Sequence, residues 1–192
     1  MLVPVVGPSG AGKDTLIDAA RARLAGDGRF LFVRRCITRP PEAGGEDHQP
    51  TSLEEFERTR NAGGFALWWA AHGLLYGIPR EIDVALCRGR VVIANLSRAV
   101  LAEAAMRWPT RVLLITAPAD VLAARLAARG REDAADIAAR LAREAALPPS
   151  LDVETVMNDG AVDAGVERVL AALNRAAADA PRSGTARPAR PG

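Results

Sequence analysis

Lysine is almost missing from this sequence: of its 25 cationic residues, all but Lys13 are arginine. A composition that makes nearly every cation an arginine keeps lysine where a compact ammonium on a flexible stem is wanted and a planar guanidinium would not fit. Cysteine is scarce too. Cys36 and Cys87 lie far apart, without metal-ligand spacing, which argues against a zinc site or a disulfide scaffold, and each reads as a small buried apolar residue. No apolar run reaches the roughly 18 residues that a membrane-spanning helix needs, and no signal-type apolar region is evident. A cytoplasmic protein is expected. An excess of one charge is also lacking: 25 basic residues face 23 acidic ones, for a net charge of +2. That balance leaves no overall field of the kind that gathers nucleic acid or an anionic membrane, and neither is expected as a partner.

What is present fits one α/β domain, and 192 residues are enough to bury about 70% of the surface that the unfolded chain would expose. Residues 2–6 are a short apolar run ending in a Gly/Ser turn; from Lys13 the pattern changes to helical period, with Leu16, Ile17, Ala20 and Leu24 on one face. A second apolar run covers 30–33. The segment "RRCITRPPEAGGEDH" that follows is broken by Pro40, Pro41, Gly44 and Gly45. Residues 53–62 and 79–88 read as short amphipathic helices around "GGFALWWAAHGLLYGI", so that 34–88 form an inserted subdomain. "RVVIANL" (90–96) and "RVLLITA" (111–117) are continuous apolar runs, as in strands buried on both faces of a parallel sheet. Helices are expected after Pro118, in the arginine-rich stretch that follows Gly130, and over 163–178, with a last strand in "LDVETVMNDG" and a disordered tail over 179–192. This alternation predicts a right-handed, mostly parallel doubly wound sheet, with ligands at the carboxyl ends of its strands.

The first such end carries "GPSGAGKDT". Gly7, Gly10 and Gly12 let backbone amides converge on an anion, and the helix behind them presents its positive end. Gly7, Pro8, Ser9, Gly10, Ala11, Gly12, Lys13, Asp14 and Thr15 are therefore the candidate nucleotide-binding residues, with Lys13 reaching the β- and γ-phosphates of ATP. Asp14 stands where such loops usually have a hydroxyl. As a hard-oxygen donor it is a candidate Mg²⁺ ligand; the alternative is a carboxylate that only complements the helix dipole.

These residues resemble the guanylate kinases over positions 2 to about 175. "GPSGAGK" is similar to their phosphate loop, "ITRPPEAGGEDH" and "HGLLYGIP" to the two ends of their acceptor-binding region, and "RGREDAADIAARL" to their arginine-rich lid, here 130–148. The resemblance implies a P-loop nucleoside-monophosphate-kinase fold, in which Arg39 and Tyr76 match acceptor-phosphate ligands. Glu42 replaces a second arginine and His48 a tyrosine. It also shows what is missing: Leu67 replaces an acidic residue, and "VVIANLS" lacks the family's aspartates. Guanine's N–H donors would be left unpaired there, at about 1 to 3 kcal/mol each, which argues against guanine as the acceptor. "GKDTL", "SRAVL" and "NDG" are similar to one branch, the ribose 1,5-bisphosphate phosphokinases. That resemblance implies phosphoryl transfer from Mg-ATP to a sugar bisphosphate.

On this reading Lys13, Arg129 and Arg140 are the catalytic candidates, Arg129 and Arg140 being preferred among Arg125, Arg129, Arg131, Arg140 and Arg143. The bland alternative is a solvated arginine face. Arg39, His48, Tyr76, Asn95 and Arg98 are the substrate-binding candidates, with Arg35 as a possible assistant or a strand-edge ion pair. Trp68 and Trp69 read as core, and Asn158 and Asp159 as residues beside the adenine or an ordinary turn. The rival readings are a guanylate kinase proper and a non-catalytic binding module on the same scaffold.

Overall fold

The computed structural model describes residues 1–40, 47–128 and 147–181. In chain order the first half runs β1 (Leu2–Val6), α1 (Lys13–Arg23), β2 (Phe30–Phe32), β3 (Cys36–Ile37), β4 (Gln49–Pro50), α2 (Leu53–Asn61), β5 (Phe65–Ala71) and β6 (Leu74–Pro79). The second half runs α3 (Ile82–Cys87), β7 (Val91–Asn95), a 3₁₀ turn (Arg98–Val100), α4 (Leu101–Arg107), β8 (Val112–Thr116), α5 (Ala119–Ala127), β9 (Val153–Met157) and α6 (Val162–Asp179).

Five strands form one sheet in the order β2-β7-β1-β8-β9, with every pair parallel. Side chains of β1 alternate between two cores. Val3 and Val5 pack with Leu16 and Ile17 of α1 and Val169 and Leu173 of α6, whereas Leu2 and Val6 pack with Ile82 of α3, Leu101 of α4 and the second sheet. In β7, Val91 and Ile93 face the first core and Val92 and Ala94 the second. Because both faces are covered, the period-2 alternation of a strand reads in sequence as an unbroken apolar run. Gly165 lets α6 press onto α1: a Cβ there would stand 2.9 Å from Leu16 Cδ2.

Strands β3–β6 form a second sheet in the order β4-β3-β6-β5. Its centre is a hairpin whose two-residue turn, His72 and Gly73, has φ of 50° and 72°. Two left-handed residues in a row give the turn twist that matches paired strands. Trp69 points inward and stacks on Tyr76 with ring centroids 5.4 Å apart. Trp68 points outward, 44% exposed, with the Arg60 guanidinium 4.9 Å above its ring. The expectation of two core tryptophans therefore holds for Trp69 alone, because neighbours on a strand face opposite ways.

Cys36 is buried, and burial, reinforced by the Glu81 charge, raises its thiol pKa. Cys87 ends α3 and is exposed, against expectation. Helix α4 crosses from β7 to β8 in a stretch to which the sequence reading assigned no element. Helix α6 runs to Asp179, one residue into the expected tail. Residues 130–146 of the expected lid and 182–192 of the expected tail lie outside the described residues. Among the described residues no helix is long and apolar enough to cross a membrane.

Candidate active site

In the loop between β1 and α1, side chains take up the backbone carbonyls. Lys13 Nζ donates to the carbonyls of Gly7 (2.8 Å) and Pro8 (2.9 Å), Arg125 Nη1 reaches that of Gly10 (3.5 Å), and Asn158 Nδ2 donates to that of Ala11 (2.8 Å). The loop leads into the N-terminus of α1, whose positive end favours an anion. Gly7 sits at φ 148°, where a Cβ would stand 1.9 Å from the Ile115 carbonyl oxygen of β8. Gly10 and Gly12 have φ of 86° and 82°, and Gly12 caps α1 in the left-handed conformation. Pro8 and Ala11 are buried, Ser9 is half-buried, and Asp14 and Thr15 are exposed in the first turn of the helix.

Asn158 is only 5% exposed. Besides bonding Ala11, it receives close packing from both glycine positions beside it: a Cβ at Gly12 would meet its Nδ2 at 2.6 Å and one at Gly165 its Oδ1 at 3.0 Å. Its backbone N–H donates to Thr116 at the end of β8. Asn158 thus braces the loop from behind. Asp159 pairs with Arg168 on the surface at 2.9 Å, which lowers its carboxyl pKa.

Register pairs Val5 with Asn95, which places the end of β7 beside the loop. Asn95 Nδ2 donates to Asp14 Oδ1 at 3.3 Å. From this pair a cleft runs along α1, past Asp18 and Arg21, with Phe32, Arg35 and Asp47 on its other wall. Arg21 contacts Asp18 and Asp47, both at 3.4 Å, and Arg34 contacts Asp47 at 2.9 Å. The guanidinium of Arg35 lies 4.9 Å over the Tyr76 ring and 5.7 Å from that of Trp69. Tyr76, 9% exposed, is thereby enclosed between Trp69 and Arg35.

Arg39 lines a neighbouring groove with Thr38, Ser52, Glu55 and Leu75 rather than the cleft of Asp14. His48 is buried, with Nδ1 3.4 Å from Arg39 Nη2 and Nε2 3.3 Å from the Arg39 carbonyl. Since a guanidinium only donates and a carbonyl only accepts, this pairing fits a ring with its proton on Nε2. Arg98 is half-buried in the 3₁₀ turn, which Ser97 caps by accepting from Ala99 N–H at 3.3 Å. Among the described residues no group of three metal-ligating side chains occurs. The candidates Arg129 and Arg140, and also Glu42, Arg131 and Arg143, lie outside the described residues.

A glycine loop with its lysine at the carboxyl end of a central parallel strand, a second small sheet above it and the order β2-β7-β1-β8-β9 together define a P-loop kinase of nucleoside-monophosphate-kinase type. The solved structures agree on the fold. A guanylate kinase from Anaplasma phagocytophilum superposes with a TM-score of 0.62 at 18% identity, covering 91% of this chain and 84% of that one. A gluconokinase from Sinorhizobium meliloti 1021 gives 0.50 at 17% identity, covering 93% of each. No family model matches the chain. Curated relatives are much nearer: the ribose 1,5-bisphosphate phosphokinase of Brucella melitensis is 51% identical over 177 residues, 91% of this chain and 92% of that protein. That of Methylobacterium radiotolerans is 48% identical over 175 residues, 90% of this chain and 96% of that protein. A bifunctional ribose 1,5-bisphosphokinase-thymidine phosphorylase from Cupriavidus necator is 49% identical over 187 residues. The chain spans 31% of that longer protein's length. The chain belongs to the ribose 1,5-bisphosphate phosphokinase family.

Proposed function

We propose that the protein transfers the γ-phosphoryl group of ATP to the 1-phosphate of ribose 1,5-bisphosphate, giving 5-phospho-α-D-ribose 1-diphosphate and ADP. The observation that carries this reading is the pairing of a complete phosphate loop with a leucine and an amide at two places where the guanylate kinases have carboxylates. Leu67 is 1% exposed in an apolar core, and the side chain facing the loop from β7 is the amide of Asn95 rather than a carboxylate. A guanine N–H donor left facing Leu67 without a partner would cost about 1 to 3 kcal/mol.

An acceptor phosphate is already anionic, so no general base is needed. One of its oxygens attacks the γ-phosphorus, the bond from that phosphorus to the β–γ bridging oxygen breaks, and the electron pair leaves on ADP. Positioning and charge neutralisation supply the catalysis. Lys13 swings from the Gly7 and Pro8 carbonyls to the β- and γ-oxygens. Gly7 to Thr15 cradle the triphosphate, with Arg125 and Asn158 fixing the loop's shape. Arg129 and Arg140 supply lid cations to the transferring group. Arg39, oriented by His48, and Arg98 add positive charge around the acceptor, while Tyr76 shapes its wall.

The donor set fits Mg²⁺: Asp14 offers an exposed carboxylate at the N-terminus of α1, oriented by Asn95, and the remaining oxygens are those of triphosphate and water. Bound there, the ion would neutralise charge on the β- and γ-phosphates.

Phosphorus NMR of a reaction with Mg-ATP and ribose 1,5-bisphosphate tests the reading. Paired diphosphate resonances of a new sugar diphosphate, growing as ADP forms, are expected; ADP without them would refute it.

A further inference from the structure

The transfer written above leaves the sugar's own bonds alone. An oxygen of the 1-phosphate attacks the γ-phosphorus and the bond to the β–γ bridging oxygen breaks, so the bond between C1 and its oxygen is neither formed nor broken. The side chains given a part in that transfer handle phosphate or its charge: Lys13 at the loop, Asp14 beside Asn95 at 3.3 Å, and Arg39 against His48 at 3.4 Å. None of them is assigned to C1 or C5. The α configuration of the product and its phosphate on C5 are therefore inherited from the acceptor. Whatever reaction feeds this kinase has to deliver a ribose that already carries an α-phosphate on C1 and a phosphate on C5.

Phosphorolysis of a β-ribonucleotide meets both demands in one step. An oxygen of inorganic phosphate attacks C1′ from the face opposite the base, and the C1′–N bond breaks. Its electron pair stays on the base nitrogen, which takes up a proton; C1 is inverted from β to α, and the 5′-phosphate is carried through unchanged. Hydrolysis of the same bond would leave a bare hydroxyl on C1, and phosphorolysis of an unphosphorylated nucleoside would leave one on C5. The Cupriavidus necator relative is by name both a ribose 1,5-bisphosphokinase and a thymidine phosphorylase in one chain, so the class of reaction joined to the kinase there is the one that this stereochemistry asks for.

We propose that this kinase acts directly after a phosphorylase that cleaves the N-glycosidic bond of ribonucleoside 5′-monophosphates with inorganic phosphate, and that the released sugar bisphosphate is its acceptor. This rests on the proposed function above and adds the step that precedes it.

Two reactions run in sequence test it. The whole Cupriavidus necator protein is incubated without ATP, with radiolabelled inorganic phosphate and either AMP and UMP or the matching nucleosides, and is then removed by filtration. This protein and Mg-ATP are added to each filtrate. Labelled 5-phospho-α-D-ribose 1-diphosphate from the nucleotides, and none from the nucleosides, is expected. No labelled sugar bisphosphate in the nucleotide filtrates, or labelled sugar diphosphate from the nucleosides alone, would overturn the placement. Synthetic α-ribose 1,5-bisphosphate given to this protein separates the two readings: if it is not converted, the proposed function fails and the placement with it, whereas its conversion beside unlabelled filtrates overturns the placement alone. The β anomer supplies a check on this protein by itself. Its kcat/KM should be lower than that of the α anomer by about a hundredfold or more; equal turnover of the two would remove the demand for inversion and overturn the stereochemical ground.

Discussion

Asn158 Nδ2 donates to the carbonyl of Ala11 across 147 positions of sequence, at 2.8 Å, from a side chain that is almost wholly buried. This bond ties the turn after β9 to the phosphate loop. Asn158→Ala would strand a buried carbonyl and leave a gap beside Gly12, at a cost of about 1 to 3 kcal/mol. Scanning calorimetry should show the lowered melting temperature, and the KM for ATP should rise several-fold. Unchanged values for both would show that the loop does not depend on this brace.

Gly7 has no room for a side chain. In Gly7→Ala the new methyl would be driven into the Ile115 carbonyl oxygen, 1.9 Å away, from a left-handed φ of 148°. A loss of about 2 to 4 kcal/mol in denaturant unfolding is expected. Gly26→Ala is the control: its φ is 88° but a Cβ meets nothing within 4 Å, so only the backbone cost of about 1 kcal/mol applies.

Lys13→Ala should abolish turnover while leaving the circular dichroism spectrum unchanged. Its ammonium bonds two loop carbonyls, and an arginine there could not make the compact swing to the phosphates. Retention of more than about a few per cent of activity would remove the role given to it, since losing one such interaction in a transition state costs about 10²-fold or more.

Asp14 and Asn95 hold each other at 3.3 Å. Asp14→Ala should raise the Mg²⁺ concentration for half-maximal activity by about tenfold, the equivalent of 1.4 kcal/mol, with Asp14→Ser intermediate. An unchanged Mg²⁺ requirement with a lower melting temperature would instead identify Asp14 as a partner of the helix dipole alone.

Helix α2 starts with a reciprocal cap: Glu55 N–H donates to Ser52 Oγ and Ser52 N–H to Glu55 Oε2, both at 3.1 Å. The Ser52 backbone N–H and then its hydroxyl hold the Glu55 carboxyl below its usual pKa. A depressed folded value means that the cap's contribution is present above the unfolded pKa and is lost as pH falls through the folded one. Protection of the first-turn amides of α2, taken relative to the intrinsic exchange rate at each pH, should therefore fall on going from about pH 6 to about pH 3, more than in Glu55→Gln, whose amide does not titrate.

The loop, α1 and the central strands were legible because their signals are local. Glycines at fixed spacing, one lysine and unbroken apolar runs sit within a few residues of what they determine. The hairpin β5–β6 was not, because its turn uses His72 with φ 50° where Asn or Asp is the usual sign; with the strand unrecognised, Trp68 could not be told from Trp69. Asn158 read as a turn residue or a neighbour of the base, since nothing in its vicinity signals a partner far away at Ala11. Arg35 was weighed as an assistant or a strand-edge ion pair, because its seat on Tyr76 depends on a pairing between β3 and β6 that brings Ile37 opposite Tyr76. His48 was a substrate candidate because it stands where the guanylate kinases have a tyrosine; its contacts with Arg39 through both ring nitrogens were not legible in the sequence.

The acceptor itself is the central claim, and direct competition decides it. With Mg-ATP, kcat/KM for ribose 1,5-bisphosphate should exceed that for GMP by at least about a thousand-fold, as expected when a base's donors find no partners. Turnover of GMP equal to or faster than that of the bisphosphate would contradict it.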